Sequence, residues 1–199
     1  MADNGVNKGR RRFLVGATTV VGAVGAVGVA VPFVASWQPS ARARAAGAPV
    51  SADISKLEPG QQMTVEWRGR PVWIVNRTAE MIERTESIEP SRLADPDSSV
   101  PQQPDYVTGP LRSLRPEIGV LIGICTHLGC SPLYRPEPGA ADLGGDNWPG
   151  GYFCPCHGSR FDLAGRVFAN VPAPTNLEVP PYRFDSDEIV VVGEDEEAA

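Results

Sequence analysis

The sequence predicts a mainly β, antiparallel body preceded by one N-terminal transmembrane helix. Three observations predict it. Residues 13–36 form an uncharged, apolar run. From Val50 onward, short β-rich runs are separated by Gly and Pro. All four cysteines and both histidines fall in two short segments, 125–130 and 154–157, each just after a β-like run.

A chain of 199 residues allows one domain or at most two. Its 42% hydrophobic content and 41 Gly and Pro residues suit a folded, loop-rich protein rather than a disordered one. Charge is unevenly spread. Lys8, Arg10, Arg11, Arg12, Arg42 and Arg44 stand against Asp3 alone, a net +5 through residue 50. The whole chain is −6, so the rest is −11. An acidic body argues against nucleic acid as its partner.

The run FLVGATTVVGAVGAVGVAVPFVASW spans residues 13–37. It exceeds the roughly 20 apolar residues that cross a hydrocarbon core, and a helix satisfies its own backbone there. Trp37 closes it where an indole favours the interface. The basic segment 1–12 is expected on the cytoplasmic side and the body on the other. Arg10, Arg11, Phe13 and Leu14 resemble the twin-arginine export motif, which implies export of a folded protein. A cleaved signal peptide is the competing reading, with small residues around Ala43–Ala45 as its site. The run outlasts the usual 7–15-residue signal core, which favours an uncleaved, single-pass anchor. Gly22, Ala26 and Ala30 fall at small-xxx-small spacing, where another helix can approach closely. Residues 38–49, small and polar, read as a flexible linker, although alanine-rich stretches also form helix.

The body covers 50–199. Met63, Val65 and Trp67 alternate with polar residues. Val72–Val75, Val120–Ile124, Tyr152–Phe153 and Ile189–Val192 follow as β-rich runs. One helix is expected over Ala79–Thr85, with Asn76 or Thr78 as N-cap. Residues 86–118 are polar and Pro-rich and read as loop; Arg135–Gly151 reads as an extended surface loop. There is no internal repeat, and Glu194–Glu197 reads as a solvated terminus.

The two segments are Cys125-Thr126-His127-Leu128-Gly129-Cys130 and Cys154-Pro155-Cys156-His157-Gly158-Ser159, separated by 23 residues. Thiolate and imidazole suit iron–sulfur or zinc chemistry. Cys125/His127 with Cys154/His157 make two matched pairs, leaving Cys130 and Cys156 over; an exported domain permits a disulfide between loops.

CTHLGC and CPCHGS resemble the paired boxes of the Rieske family, and within it those of the iron–sulfur subunit of the cytochrome bc complex. Val171-Pro172-Ala173-Pro174 resembles that family's proline loop. The resemblance implies an antiparallel Rieske-type β-sandwich whose cluster-binding subdomain spans about 120–175. It implies one Rieske-type 2Fe–2S cluster, with Cys125 and Cys154 on one iron and His127 and His157 on the other. It implies a Cys130–Cys156 disulfide. Leu128 would shield the cluster and touch a docking partner, and Ser159 would donate to a cluster sulfide, which raises the potential. Two neutral imidazoles already place such centres at roughly −150 to +300 mV. Ring-hydroxylating dioxygenases of the family lack the two bridging cysteines. Quinol-oxidising members often carry Tyr where this chain has Phe161, so a somewhat lower potential is expected here.

The activity so implied is that of a quinol–cytochrome c oxidoreductase subunit. The cluster accepts one electron from quinol at a cytochrome b subunit and passes it to a c-type cytochrome. His157, and then His127, are the expected catalytic residues, because reduction at an imidazole ligand is linked to protonation. The implied setting is a dimeric complex in the bacterial inner membrane, with the body periplasmic. A structural zinc site explains neither the spare cysteine pair nor the ligand spacing. A Rieske carrier without a quinol, such as an oxygenase ferredoxin, and a purely structural subunit are the other rivals.

Overall fold

The computed structural model describes residue 5 and residues 7–195. Asp3, counted above in the basic segment, and residues 196–197 of the acidic tail lie outside the described residues. The chain divides into two compact units, Met1–Ala45 and Ala46–Ala199.

The first unit holds α1 (Lys8–Ala35), 28 residues with no buried side chain, long and apolar enough to cross a membrane. It starts earlier than the uncharged run because Asn7 caps it, its side chain accepting from the Arg10 amide at 3.0 Å. The basic residues therefore form its first turns. Helix α2 (Ala41–Ala46) occupies the expected linker. Ser40 caps it, accepting from the Ala43 amide at 3.1 Å, so alanine propensity prevails over disorder there.

The second unit contains three three-stranded antiparallel sheets. The first pairs β1 (Val50–Asp53) with β9 (Ile189–Val192) and then β8 (Tyr182–Phe184). The second runs β2 (Gln62–Trp67), β3 (Arg70–Asn76), β4 (Ile118–Ile122). The third runs β5 (Leu133–Arg135), β6 (Gly151–Phe153), β7 (Arg160–Phe161). Side chains from all three meet in one core: Val190 and Tyr182, Ile74 and Val120, Tyr152 and Phe161. Helix α3 (Ala79–Glu86) is capped by Thr78, not Asn76. Asn76 instead donates from its side chain to the Leu57 carbonyl at 2.7 Å.

Strand β4 is buried at all five positions, IGVLI. It pairs only with β3 within its sheet, yet its outer edge is covered, the Ile122 amide donating to the Glu178 carbonyl at 2.8 Å. Cys125 follows three residues later, so the first box is anchored to the most buried strand.

Of the polar stretch 86–118, Glu86 ends α3 and Ile118 starts β4; residues 87–117 have one short 3-10 turn (Pro90–Arg92) and are otherwise irregular, yet they are firmly held. Arg112, 1% exposed, donates to the Ala164 carbonyl at 3.0 Å, the Leu177 carbonyl at 2.8 Å and Gln103 at 2.6 Å. Burial lowers its pKa to about 10. Arg166 pairs with buried Asp162 at 2.7 Å and reaches the Thr85 carbonyl at 2.7 Å. Buried Asn176 accepts from Val167 and donates to the Asp95 carbonyl. These contacts fasten the turn after β7 to α3 and to the 95–112 loop.

Residues 135–151 are not an extended loop. They fold over a second small core of Ile88, Leu93, Leu143, Trp148 and Phe168. Trp148 is 2% exposed and donates to the Arg135 carbonyl at 3.2 Å, while Arg135 grips Asp142 through two bonds of 2.9 Å. Gly and Pro make up much of the segment's composition, and two apolar residues eight and thirteen positions beyond Arg135, Leu143 and Trp148, were enough to close it. Trp148→Ala is expected to cost about 3–5 kcal/mol. Denaturant unfolding of the detergent-solubilised chain checks this; a loss below ~1 kcal/mol would mean the small core contributes nothing.

Asp95 accepts from the Ser99 hydroxyl at 2.7 Å and from the Ser99 and Val100 amides at 2.8 and 3.1 Å. Its burial opposes ionisation, but these donors outweigh it, and the carboxyl is held below its usual range. Its contribution is therefore complete above the unfolded pKa, about 4, and lost as pH falls through the lower folded value. Asp95→Asn should be less stable than the native chain at pH 7, with the gap narrowing at about pH 3. A gap independent of pH in parallel melts would refute this.

Candidate metal centre

The two boxes are the same backbone loop used twice. In the first, the Cys125 amide donates to the Cys130 carbonyl at 2.8 Å and the Gly129 amide to the Cys125 carbonyl at 3.0 Å. In the second, Cys154 donates to Ser159 at 2.8 Å and Gly158 to Cys154 at 2.9 Å. Glycine sits at the fifth position of each, at φ 84° and 79°. A Cβ on either would meet nothing within 4 Å, so backbone conformation alone demands glycine there.

Equal loops place unequal residues. His127 is third in its loop and His157 fourth; Cys130 is sixth and Cys156 third. The result brings Cys130 and Cys156 together in a disulfide, S–S 2.13 Å and Cα–Cα 6.7 Å, which ties loop to loop. The imidazoles of His127 and His157 lie edge to face, centroids 4.7 Å apart and planes at 90°. Cys125 and Cys154 remain free thiols, 2% and 1% exposed. His157 is exposed and His127 half-buried; Leu128 is 70% exposed.

The proline loop is fastened to both boxes. Ser159, fully buried, accepts from the Ala173 amide at 3.0 Å, which leaves its own proton to donate. The Thr126 hydroxyl donates to the Thr175 carbonyl at 2.7 Å. Thr126 is a residue the sequence pattern passed over; its place inside the first box was the available signal.

These residues fit an iron–sulfur centre of two thiolates and two imidazoles. Nδ1 of His127 is buried without a hydrogen-bond partner, a costly state that ligation relieves. Burial pushes the Cys154 thiol up from its ordinary value, and hydrogen bonding from Cys125 adds to this. Amides of Cys156 and His157 bonded to that sulfur pull the other way and favour the thiolate. Three sulfurs, of Cys130, Cys154 and Cys156, lie within 4.8 Å of one another, but two of them are spent in the disulfide and offer no thiolate.

Residues 49–182 match the family model of the Rieske [2Fe-2S] domain, which with this donor set defines a Rieske-class iron–sulfur protein. Residues 1–40 match the model described as the ubiquitinol-cytochrome C reductase Fe-S subunit TAT signal. The ubiquinol-cytochrome c reductase iron-sulfur subunit of Allochromatium vinosum is 64% identical over 199 residues, covering 100% of this chain and 95% of that protein. Its counterpart in Blastochloris viridis is 44% identical, covering 92% of each. The mitochondrial cytochrome b-c1 complex subunit Rieske of Theropithecus gelada is 41% identical over 91% of this chain and 58% of its own length. The chain belongs to the family of ubiquinol–cytochrome c reductase iron–sulfur subunits. Its cofactor is a Rieske [2Fe–2S] cluster.

Gly158→Ala forces a Cβ into the left-handed region at no steric gain. The expected loss is about 1–2 kcal/mol in denaturant unfolding. An unchanged midpoint would show that the second box does not depend on that conformation.

Proposed function

We propose that this chain is the electron-transfer subunit of a quinol–cytochrome c oxidoreductase, carrying one electron from a quinol at a cytochrome b subunit to a c-type cytochrome and so contributing to proton translocation. The observation that carries it is the pairing of two buried free thiols with two adjacent imidazoles, one exposed and one with an orphaned buried nitrogen. Cys125 and Cys154 would hold one iron of the cluster, and His127 and His157 the other. The bound cluster supplies a one-electron couple of raised potential. The exposed imidazole of His157 accepts the hydrogen bond, and then the proton, of a quinol hydroxyl. His127, half-buried, is the second proton-bearing group. Leu128 offers an apolar contact beside them to the docking partner, at 70% exposure. Ser159, whose hydroxyl proton is not used by the Ala173 contact, would donate towards the bound cluster and so favour the reduced state.

Helix α1 anchors the chain in the bacterial inner membrane. The basic residues at its start favour a cytoplasmic N-terminus, which puts the Rieske domain in the periplasm. The match to an export signal over residues 1–40 supports the same orientation. The segment 38–49 lets the domain shuttle between donor and acceptor subunits, and the complex is a dimer.

Two measurements test this. Redox titration of the loaded full-length chain, followed by electron paramagnetic resonance at several pH values, should give a [2Fe–2S] signal of positive potential that falls as pH rises. A low potential that ignores pH would place the chain among oxygenase ferredoxins instead. Phe161 is fully buried and supplies no hydroxyl. Phe161→Tyr should raise the potential by ~40–65 mV, the equivalent of one hydrogen bond worth about 1–1.5 kcal/mol to a one-electron couple. The added oxygen should also cost about 1–3 kcal/mol of stability through overpacking. No rise in potential would remove Phe161 as the cause of a lowered value.

A further inference from the structure

Cys154 has two competing claims on its sulfur. Its Sγ lies within 4.8 Å of both sulfurs of the Cys130–Cys156 disulfide, and it is itself a free thiol. The other free thiol, Cys125, is not in that group of three. We propose that Cys154 is an intramolecular nucleophile towards this disulfide, and that iron ligation is what holds it off. The inference rests on the assignment of Cys154 as an iron ligand.

The step is thiol–disulfide exchange. The Cys154 thiolate attacks Sγ of Cys130. A Cys130–Cys154 bond forms as the Cys130–Cys156 bond breaks. The electron pair leaves on the sulfur of Cys156, which takes up the proton that Cys154 gave up. The number of disulfides is unchanged and no oxidant is consumed. Attack on Cys130 is the favoured direction for two reasons. Cys156 is exposed, so the departing thiolate is solvated. Attack on Cys156 would instead join residues two apart across Pro155, whose fixed φ resists so tight a ring.

The product cannot take up the cluster until the exchange reverses. It removes one of four ligands and leaves Cys125, His127 and His157 unable to complete the donor set. Assembly is therefore most direct when iron occupies Cys154 before Cys130 and Cys156 close. A reducing compartment, where disulfides do not persist, permits that order; an oxidising one, met first, does not.

The test uses the full-length loaded chain in detergent, kept anaerobic near neutral pH. Iron is withdrawn with a ferrous chelator, free thiols are alkylated, and disulfides are mapped by mass spectrometry without reduction. The loaded protein should show only Cys130–Cys156, with Cys125 and Cys154 protected. After iron removal a Cys130–Cys154 cross-link should appear, absent before, with Cys156 in the alkylated pool. An intact Cys130–Cys156 beside alkylated Cys154 would overturn the exchange. So would a new Cys125–Cys154 bond beside an intact Cys130–Cys156, which is oxidation rather than exchange. Alkylation of Cys154 in the loaded protein would overturn the ligand assignment itself, a different failure. In Cys154→Ser the Cys130–Cys156 bond should survive without a cluster; scrambling through Cys125 there would show that Cys154 is not the specific nucleophile.

Discussion

The amide-to-carbonyl hydrogen bonds Cys125–Cys130 and Cys154–Ser159, both 2.8 Å, close two loops of the same size, and the donor set depends on that closure. Each loop turns its Cys inward at the first position and presents later residues at fixed angles. Because the loops match while their sequences do not, the third position is a histidine in one and a disulfide cysteine in the other. That offset lets one disulfide fasten the loops together while Cys125 and Cys154 stay free thiols. Lose either closure and the two imidazoles, 4.7 Å apart, have no reason to meet.

Rigidity behind the loops comes from polar groups as much as from the core. Arg112, Arg166, Asp162 and Asn176 are all nearly or fully buried. Their bonds go largely to backbone carbonyls and amides of segments that lack ladders of their own. A buried backbone group without a partner is costly, so an irregular segment can be packed only if side chains satisfy it. Ser159 and Thr126 continue that logic into the site, pinning the proline loop over both boxes. The two boxes and the proline loop are thus three irregular segments, each held by a hydrogen bond to another.

The proximity of Cys154 to the disulfide is the chemical cost of this compactness. Bringing four sulfurs and two imidazoles into two facing loops gives an iron–sulfur site and a thiol-exchange site in one volume. On the proposed exchange, which chemistry prevails depends on whether iron occupies Cys154, which the folded geometry alone does not impose.

The sequence determined the chemistry. Six residues of only two types capable of soft-metal ligation, confined to CTHLGC and CPCHGS, left few assignments open, and local composition was enough for the apolar span, for α3 and for the main strand runs. It did not reveal that both boxes are one loop, although glycine in the fifth position of each was visible; position in a loop has meaning only once hydrogen bonds close it. It misjudged 135–151, because Leu143 and Trp148 count as core only against Ile88, Leu93 and Phe168, far away in the chain. It passed over Arg112 and Asn176, because a polar residue's burial is decided by the distant carbonyls and amides it reaches. Which residues have the chemistry to ligate a metal is a property of residue type and is written locally. Which groups are buried, orphaned or within reach of one another is set by contacts between segments, and only the tertiary structure decides it.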